Sequence, residues 1–298
     1  MSKLTDHELI DELQKRFDEN KKTIQELKDL TEELKIVNKK LEESEALKSH
    51  FISNITNEII NPFTSILGLS RNILAVKKEN WKKVISMVAL IHSEAFNLDF
   101  QLRNIFLAAK IEAGEIYPEI LNVDLKAIVR NVIDTFRIES KKKNINIDLI
   151  FEVKPEKGII FYFKTDPEKI KLALANLISN ALKFGYDGSN VIVKVWKEEE
   201  TIHIAVQDFG TGISEANQKI IFDRFKRLDS GINSLNRGHG LGLSINKAII
   251  DLLQGKIGIK SEVNKGATFT ISIPEAKTNI AGFSTDGNEF LFDNEEIF

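Results

Sequence analysis

Three clusters in the second half of this chain carry residue types that can hold a nucleotide. Asn176, Asn180 and Lys183 recur at spacings of four and three in Asn176-Leu177-Ile178-Ser179-Asn180-Ala181-Leu182-Lys183-Phe184, which places them on one face of a helix. Amide oxygens can hold a hydrated Mg2+, and a lysine ammonium neutralises phosphate. Asp208 follows a strand-like run and opens Asp208-Phe209-Gly210-Thr211-Gly212-Ile213. A carboxylate fixed at a strand end accepts a hydrogen bond from an exocyclic amine such as that of adenine. The two glycines let the backbone pass close to a base. The third cluster, Gly238-His239-Gly240-Leu241-Gly242-Leu243, opens a helix. Amides exposed at a glycine-rich helix start suit phosphate oxygens. Its glycine spacing differs from the dinucleotide fingerprint, and no P-loop Lys-Ser/Thr follows. Taken singly, each cluster has a plainer reading: an amphipathic helix with capping asparagines, or a glycine-rich turn with an exposed acid. Their order and spacing together are specific.

The remaining composition narrows the classes. The chain has 298 residues, 42% hydrophobic and 29% charged, with a formal net charge of −3. That suits a folded protein with a core and offers no basic excess for nucleic acid or anionic lipid. With no cysteine, disulfides, thiolate zinc sites and thiol catalysis are excluded. No apolar run reaches the roughly 18 residues of a membrane span, and the N-terminus lacks a signal peptide's apolar stretch. A cytoplasmic location is therefore expected.

The elements that must position these groups fall into four segments. Residues 1–48 read as a signalling helix without Gly or Pro from Leu4 onward. Leu13, Phe17, Ile24, Leu27, Leu30, Leu34, Val37 and Leu41 recur at helical steps, as a coiled-coil seam requires, and Asn38 near that seam can fix register. Residues 49–115 read as a helical hairpin. The first arm continues through Phe51, Ile55, Ile59 and Leu67, with Pro62 expected to kink it. The turn is expected at 75–80. The second arm, from about Trp81 to Glu112, carries Val84, Val88, Ile91, Ala95, Leu98, Leu102, Ile105 and Leu107 mostly on one side. Pairing two copies into a four-helix bundle would cover the apolar face, so a homodimer is expected. Residues 120–277 switch to mixed helices and strands. Asp124 caps a helix to about Lys143; 145–153 and 159–163 read as strands. Asp166-Pro167-Glu168 starts the helix that holds the first cluster. Residues 191–197 with 201–207, and 257–261 with 268–273, read as two hairpins. The fold class expected is an α helical hairpin or coiled coil in a dimeric four-helix bundle, followed by an α+β two-layer sandwich. The tail, 278–298, has five acids and four phenylalanines without Lys or Arg, and reads as disordered.

This set resembles the N, G1, F and G2 boxes of the sensor histidine kinase catalytic domain, within the wider group of Hsp90-, gyrase- and MutL-like ATPases. Ile221-Phe222-Asp223-Arg224-Phe225 stands for the F box, and 226–237 for the mobile lid. The likeness covers residues 47–274, including Thr165-Asp166-Pro167 and Lys265-Gly266-Ala267-Thr268-Phe269. It implies ATP and Mg2+ as cofactors. By it, Asn176 and Asn180 face the metal and phosphates, Lys183 touches phosphate, and Phe184 flanks the base. Asp208 binds the adenine amine, Gly210 and Gly212 line the base pocket, and Gly238, Gly240, Leu241 and Gly242 form the phosphate loop. The helical hairpin resembles the family's dimerisation and phosphotransfer domain, which favours a sensor kinase over the other ATPases of the group.

One position departs from the family. The segment Phe51-Ile52-Ser53-Asn54-Ile55-Thr56-Asn57-Glu58-Ile59-Ile60-Asn61-Pro62-Phe63 resembles the phosphoacceptor box, yet Asn57 fills the place of its histidine. Imidazole attacks phosphorus through a nitrogen lone pair; the Asn amide nitrogen has none, because it is delocalised into the carbonyl. Glu58, which in the family orients the histidine or takes its proton, is kept, and so is Asn61, which positions water for dephosphorylating a partner. Ile60 and Thr56 replace the usual Arg and Ser. His50 lies seven residues earlier, about 10 Å along a helix axis and out of reach of a phosphate aimed at position 57. The expected function is two-component signal transduction by a protein that binds Mg-ATP without autophosphorylating at the usual site. It would act through conformation or in trans, with a response-regulator receiver domain or another histidine kinase as partner. The alternatives are an active protein kinase with another acceptor, Ser/Thr or a different His, and a non-enzymatic dimeric scaffold.

Overall fold

The computed structural model describes residues 6–76, 80–153, 161–222, 241–277 and 283–284. It divides into two compact units, 1–53 and 54–298.

Helix α1 runs from Asp6 to Leu74 and contains Pro62, which is buried. In the first unit every residue of the expected seam, from Leu13 to Leu41, is 54–68% exposed. Thr23 and Thr31 turn their hydroxyls back onto the Glu19 and Leu27 carbonyls, and Lys22–Glu26 and Lys35–Glu32 pair along the surface. No helix among the described residues is long and apolar enough to cross a membrane.

Helix α2 spans Trp81–Ala113 and ends at Gly114, whose φ of 69° allows its amide to close on the Ile111 and Lys110 carbonyls. Helix α1 ends at Leu74 and α2 begins at Trp81; of the connection expected at 75–80, residues 77–79 lie outside those described. The buried side chains of α2 are Met87, Phe100 and Asn104, and the apolar stripe expected from sequence stays partly or fully exposed. Phe96, Phe100 and Asn104 follow one another at helical steps of four and belong to a face that the apolar pattern did not mark. Phe96 and Phe100 meet Phe136 edge-on, at 5.8 and 6.2 Å between ring centroids.

The second unit continues with β1 (Leu121–Asp124), α3 (Leu125–Thr135), α4 (Arg137–Lys142), β2 (Asn146–Phe151) and β3 (Tyr162–Thr165). Then follow α5 (Pro167–Phe184), β4 (Asn190–Glu198), β5 (Thr201–Asp208) and α6 (Glu215–Gln218). The last elements are α7 (Gly242–Leu252), β6 (Lys256–Glu262), β7 (Gly266–Pro274) and β8 (Phe283–Ser284). Five strands form a mixed sheet in the order β2-β4-β5-β7-β6, with β2 parallel to β4 and the rest antiparallel. Alternate residues of its central strands, such as Val191, Val193, Val195, Ile202, Ile204, Ile271 and Ile273, are at most 1% exposed. They meet the apolar faces of α3, α5 and α7, which cover one side of the sheet. This is the expected two-layer α+β arrangement. Both expected hairpins form, β4–β5 and β6–β7, in antiparallel register.

Three expectations need correction. The helix from Asp124 does not reach Lys143 unbroken; it ends at Thr135 and restarts at Arg137, because Phe136 leaves helical geometry to bury its ring against α2. The strand expected at 159–163 begins at Tyr162, and residues 154–160 lie outside those described. The tail is not devoid of structure: Phe283–Ser284 pair in parallel with Asn122 and Val123 of β1, completing a small sheet in the order β3-β1-β8.

Candidate functional site

The α5 start fixes the frame. Asp166 is 1% exposed and accepts from the Lys169 amide at 3.0 Å, from the Lys169 ammonium at 2.6 Å and from the Glu119 amide at 2.7 Å. One carboxylate thus caps α5, holds an ion pair and ties down the segment before β1, while Pro167 supplies a helical φ at the first turn. The helix then delivers Asn176, Asn180, Lys183 and Phe184 in the order the spacing predicts.

Those four residues end in different surroundings. Asn176 is 4% exposed and sits among Asn104 of α2 and Asn246 of α7. Asn180 and Lys183 are partly exposed, and Phe184 is 37% exposed with the Lys183 ammonium 5.1 Å from its ring centroid. The Lys143 ammonium donates to the Lys183 carbonyl at 3.0 Å and secures the end of the helix.

Asp208 stands at the end of β5, 5% exposed. Burial pushes its carboxyl up to about 6, against the lowering effect of backbone hydrogen bonds from Ala267, Gly210 and its own amide. The loop it opens is clamped from three sides. Gly210 bridges Gly185 just past α5, and a Cβ there would lie 2.0 Å from the Phe184 carbonyl oxygen. Gly212, at φ 62°, would put a Cβ 2.0 Å from the Glu262 carbonyl oxygen. Gly266, at φ 88°, would put one 2.0 Å from that of Asp208 itself. Backbone approach this close is available only to glycine. Ser261 completes the clamp: its hydroxyl accepts from the Ile213 amide at 2.8 Å and donates to the Gly266 carbonyl at 2.7 Å. The Gln218 amide group donates to the Ile213 and Ser261 carbonyls.

Of the glycine-rich helix start, Leu241 and Gly242 are described; Leu241 is 2% exposed, and Gly242 begins α7 against the Asn176 side chain. Gly238, Gly240, His239 and the lid lie outside the described residues. Among the described residues no group of three His, Cys, Asp or Glu is placed to hold a metal ion. A cation here would take amide oxygens, water and ligand phosphates, which is the habit of Mg2+ rather than of a zinc-type site. Oxygens of that kind are present at the start of α7: the Asn176 carboxamide oxygen lies 3.3 Å from where a Cβ on Gly242 would stand, and Asn180, one turn on, is partly exposed.

Asn57, Glu58 and Asn61 all lie on helical backbone of α1. Asn61 and Thr56 are exposed, and the side chains of Asn57, Glu58 and His50 lie outside the described residues. Among the other histidines, His92 is exposed on α2. His203 is stacked on Trp196 at 5.0 Å and bound to the Ser272 hydroxyl at 2.8 Å, a pairing within the sheet. The sequence reading missed Asn104 and Asn246. The one available signal was a polar residue at the end of the four-residue steps Phe96, Phe100, Asn104.

Residues 165–277 match the family of histidine kinase-, DNA gyrase B- and HSP90-like ATPases. The chain is 28% identical over 240 residues to the circadian input-output histidine kinase CikA of Synechococcus elongatus, covering 78% of this chain and 31% of that protein. It is 28% identical over 250 residues to the sensor protein GacS of Pseudomonas syringae, covering 81% of this chain and 27% of that one. It therefore spans less than a third of the length of these curated relatives. Among solved structures, full-length ShkA in complex with AMPPNP superposes with a TM-score of 0.53 at 22% identity, over 79% of this chain and 47% of ShkA, a likeness of fold. Residues 165–277 thus match the histidine kinase-, DNA gyrase B- and HSP90-like ATPase family, and most of the chain is similar to proteins named as sensor histidine kinases.

Proposed function

We propose that this protein takes part in two-component signal transduction as a kinase-like component. It binds Mg-ATP but does not phosphorylate itself at the usual position. The observation that carries the nucleotide half is the Asp208 frame: a buried carboxylate at a strand end, held by three glycines that tolerate no side chain. A carboxylate so placed accepts from the adenine amine, and the clamped loop holds it in position for that contact. Phe184 lies beside the loop and offers a ring face to the base. Lys183 answers phosphate charge, and Asn176 and Asn180 offer oxygens to the cation. Leu241 and Gly242 continue the helix start that the phosphates meet, together with Gly238 and Gly240. Bound Mg-ATP supplies a transferable phosphoryl group.

The second half rests on Asn57. The carboxamide nitrogen has its lone pair delocalised into the carbonyl and does not attack phosphorus as imidazole does, so Glu58 has no imidazole to orient. Nucleotide then acts as a conformational ligand, or the phosphoryl group passes to a histidine supplied in trans by another histidine kinase. Asn61 remains able to place water against a phosphorylated receiver domain. A second copy of the chain pairs its helical hairpin, residues 49–115, with this one in a four-helix bundle and covers the exposed seam of residues 13–41, giving a homodimer.

Incubation with radiolabelled ATP tests this directly. The unaltered chain alone should take up no label while still binding a non-hydrolysable analogue, and Asn57→His should restore labelling. Label on the unaltered chain that survives acid would point to Ser/Thr transfer and end the proposal. Transfer in trans is checked by mixing the chain with candidate receiver domains and kinase partners; the label should then appear on the partner.

A further inference from the structure

Three carboxamides from three helices meet in the interior of the second unit. Asn104 of α2, Asn176 of α5 and Asn246 of α7 are 3%, 4% and 0% exposed. The Asn176 amide nitrogen donates to the side-chain oxygen of Asn104 at 2.9 Å and to that of Asn246 at 3.0 Å. Asn104 donates in turn to the Phe100 carbonyl at 2.9 Å, and Asn246 to the Ala173 carbonyl at 3.0 Å.

This chain of donors has only one consistent direction. Backbone carbonyls accept and never donate, so the nitrogens of Asn104 and Asn246 must face Phe100 and Ala173. Their oxygens then face Asn176, which must answer with its nitrogen. Both of its N–H groups are used, and its oxygen turns toward Gly242, where it lies 3.3 Å from the place a Cβ would take. Turning the amide over would set an oxygen against two oxygens in the interior and leave buried donors unmatched, which is costly.

We propose that Asn104, together with Asn246, is a positioning residue that locks the Asn176 carboxamide with its oxygen toward the start of α7, so that the seating of α2 sets how tightly the cation of a bound Mg-nucleotide is held. The inference rests on the nucleotide reading given above. It adds a residue outside the ATP-binding domain and a route by which helix α2 acts on that site. If α2 lifts away, Asn176 loses one of its two acceptors and with it the fixed aim of its oxygen. Partners that orient a metal ligand in this way change metal affinity by about ten- to hundredfold when removed.

The test is the affinity of the whole chain for a non-hydrolysable ATP analogue, measured with and without Mg2+. In the unaltered protein Mg2+ should tighten binding. Asn104→Ala should lose at least about tenfold of that gain while keeping its Mg2+-free affinity, which depends on the base contact. If Asn104→Ala loses its cooperative thermal transition, Asn104→Ser, whose hydroxyl is too short to reach Asn176, reads the same quantity. An unchanged Mg2+ gain in the Ala or Ser variant overturns the proposal and leaves the nucleotide reading standing. So does an equal loss with and without Mg2+, the mark of a merely structural role. An unaltered chain that binds no analogue overturns both.

Discussion

In the first unit, Leu13, Phe17, Ile24, Leu27, Leu30, Leu34, Val37 and Leu41 keep 54–68% of their surface in water, whereas in α5 Ile170, Leu174, Leu177 and Ile178 are at most 1% exposed. Both sets recur at helical spacings. In α5 the stripe finds its partner in the same chain, the sheet, and burial of each large side chain contributes about 1.5–3 kcal/mol. In α1 the stripe is left uncovered by the described residues of its unit, and a lone helix draws little stability without a packing partner. Periodicity identifies a face that must be covered; it does not say by what. The same contrast governs the chemistry. Asp208 is held by its fold and cannot be altered quietly. Asn57 lies on the helical backbone of α1, outside that frame.

The contrast predicts that the largest effects of substitution fall where α2 meets the α/β domain. Phe136 is 1% exposed and receives two ring edges from α2. Phe136→Ala should cost about 3–5 kcal/mol, as large-to-small changes in a packed core do, read as a lower denaturant midpoint. A cost like that of a surface site would mean that α2 does not pack here. Next come the glycines of the loop. Gly266→Ala places a side chain at φ 88° and against the Asp208 carbonyl. The backbone conformation alone costs about 1–3 kcal/mol, and the overlap adds to it. At Gly258 of β6 an added Cβ would meet nothing within 4 Å, so Gly258→Ala should leave the thermal midpoint near that of the unaltered chain. Equal effects at the two glycines would remove the argument from close approach.

How much of this could be read from the sequence follows the same division. The α5 start was legible because Asp166-Pro167-Glu168 is a local signal: cap, fixed φ and dipole partner lie within three residues. The two hairpins were legible from alternation. Asp208 and its glycines were legible because their spacing after a strand is itself local. The break at Phe136 was not, since it depends on rings forty and thirty-six residues earlier in the chain, Phe96 and Phe100. The role of Asn176 among Asn104 and Asn246 was hidden for the same reason: a hydrogen bond spanning seventy-two residues leaves no trace in helical spacing. The pairing of Phe283–Ser284 with β1 was masked by the composition of the tail, which is acidic and without Lys or Arg.

A smaller effect, and on affinity rather than on stability, is expected at Asp208. Asp208→Asn replaces a charged acceptor by a neutral one, a loss of about 1.5–3 kcal/mol, or roughly ten- to hundredfold in nucleotide affinity. The pH dependence has a definite sign. Because the carboxyl titrates at about 6 in the folded chain, and the adenine amine binds its ionised form, affinity should rise as pH climbs through about 6. In Asp208→Asn that rise should vanish. Stability runs the other way: a carboxyl raised from its ordinary 3.8 binds its proton more tightly in the native state. It therefore favours the fold as pH falls from about 6 toward 3.8 and opposes it above. Affinity that is flat across this range would separate Asp208 from the base contact.

The smallest effect on folding, and the sharpest on the comparison itself, belongs to the seam. Leu30 is 54% exposed within its own unit, so Leu30→Lys removes little burial from the isolated chain. The stability of the α/β domain should change by less than about 0.5 kcal/mol, as at other surface positions. In a Trp81→Phe background, fluorescence of Trp196, which lies in β4 and stacks on His203, follows that domain during denaturation. Self-association should respond quite differently. If a second copy covers the seam, a lysine at its centre sets like charges face to face and leaves an ammonium to be desolvated, so sedimentation equilibrium should shift from dimer to monomer. The two readouts then move independently: oligomeric state changes while the denaturation curve of the α/β domain stays where it was. A chain that sediments as a monomer before any substitution would assign the exposed stripe to a partner other than a second copy. A denaturation curve that moves with the lysine would mean that α1 and the α/β domain share their stability, and the division between a stripe covered from outside and a core covered from within would fall.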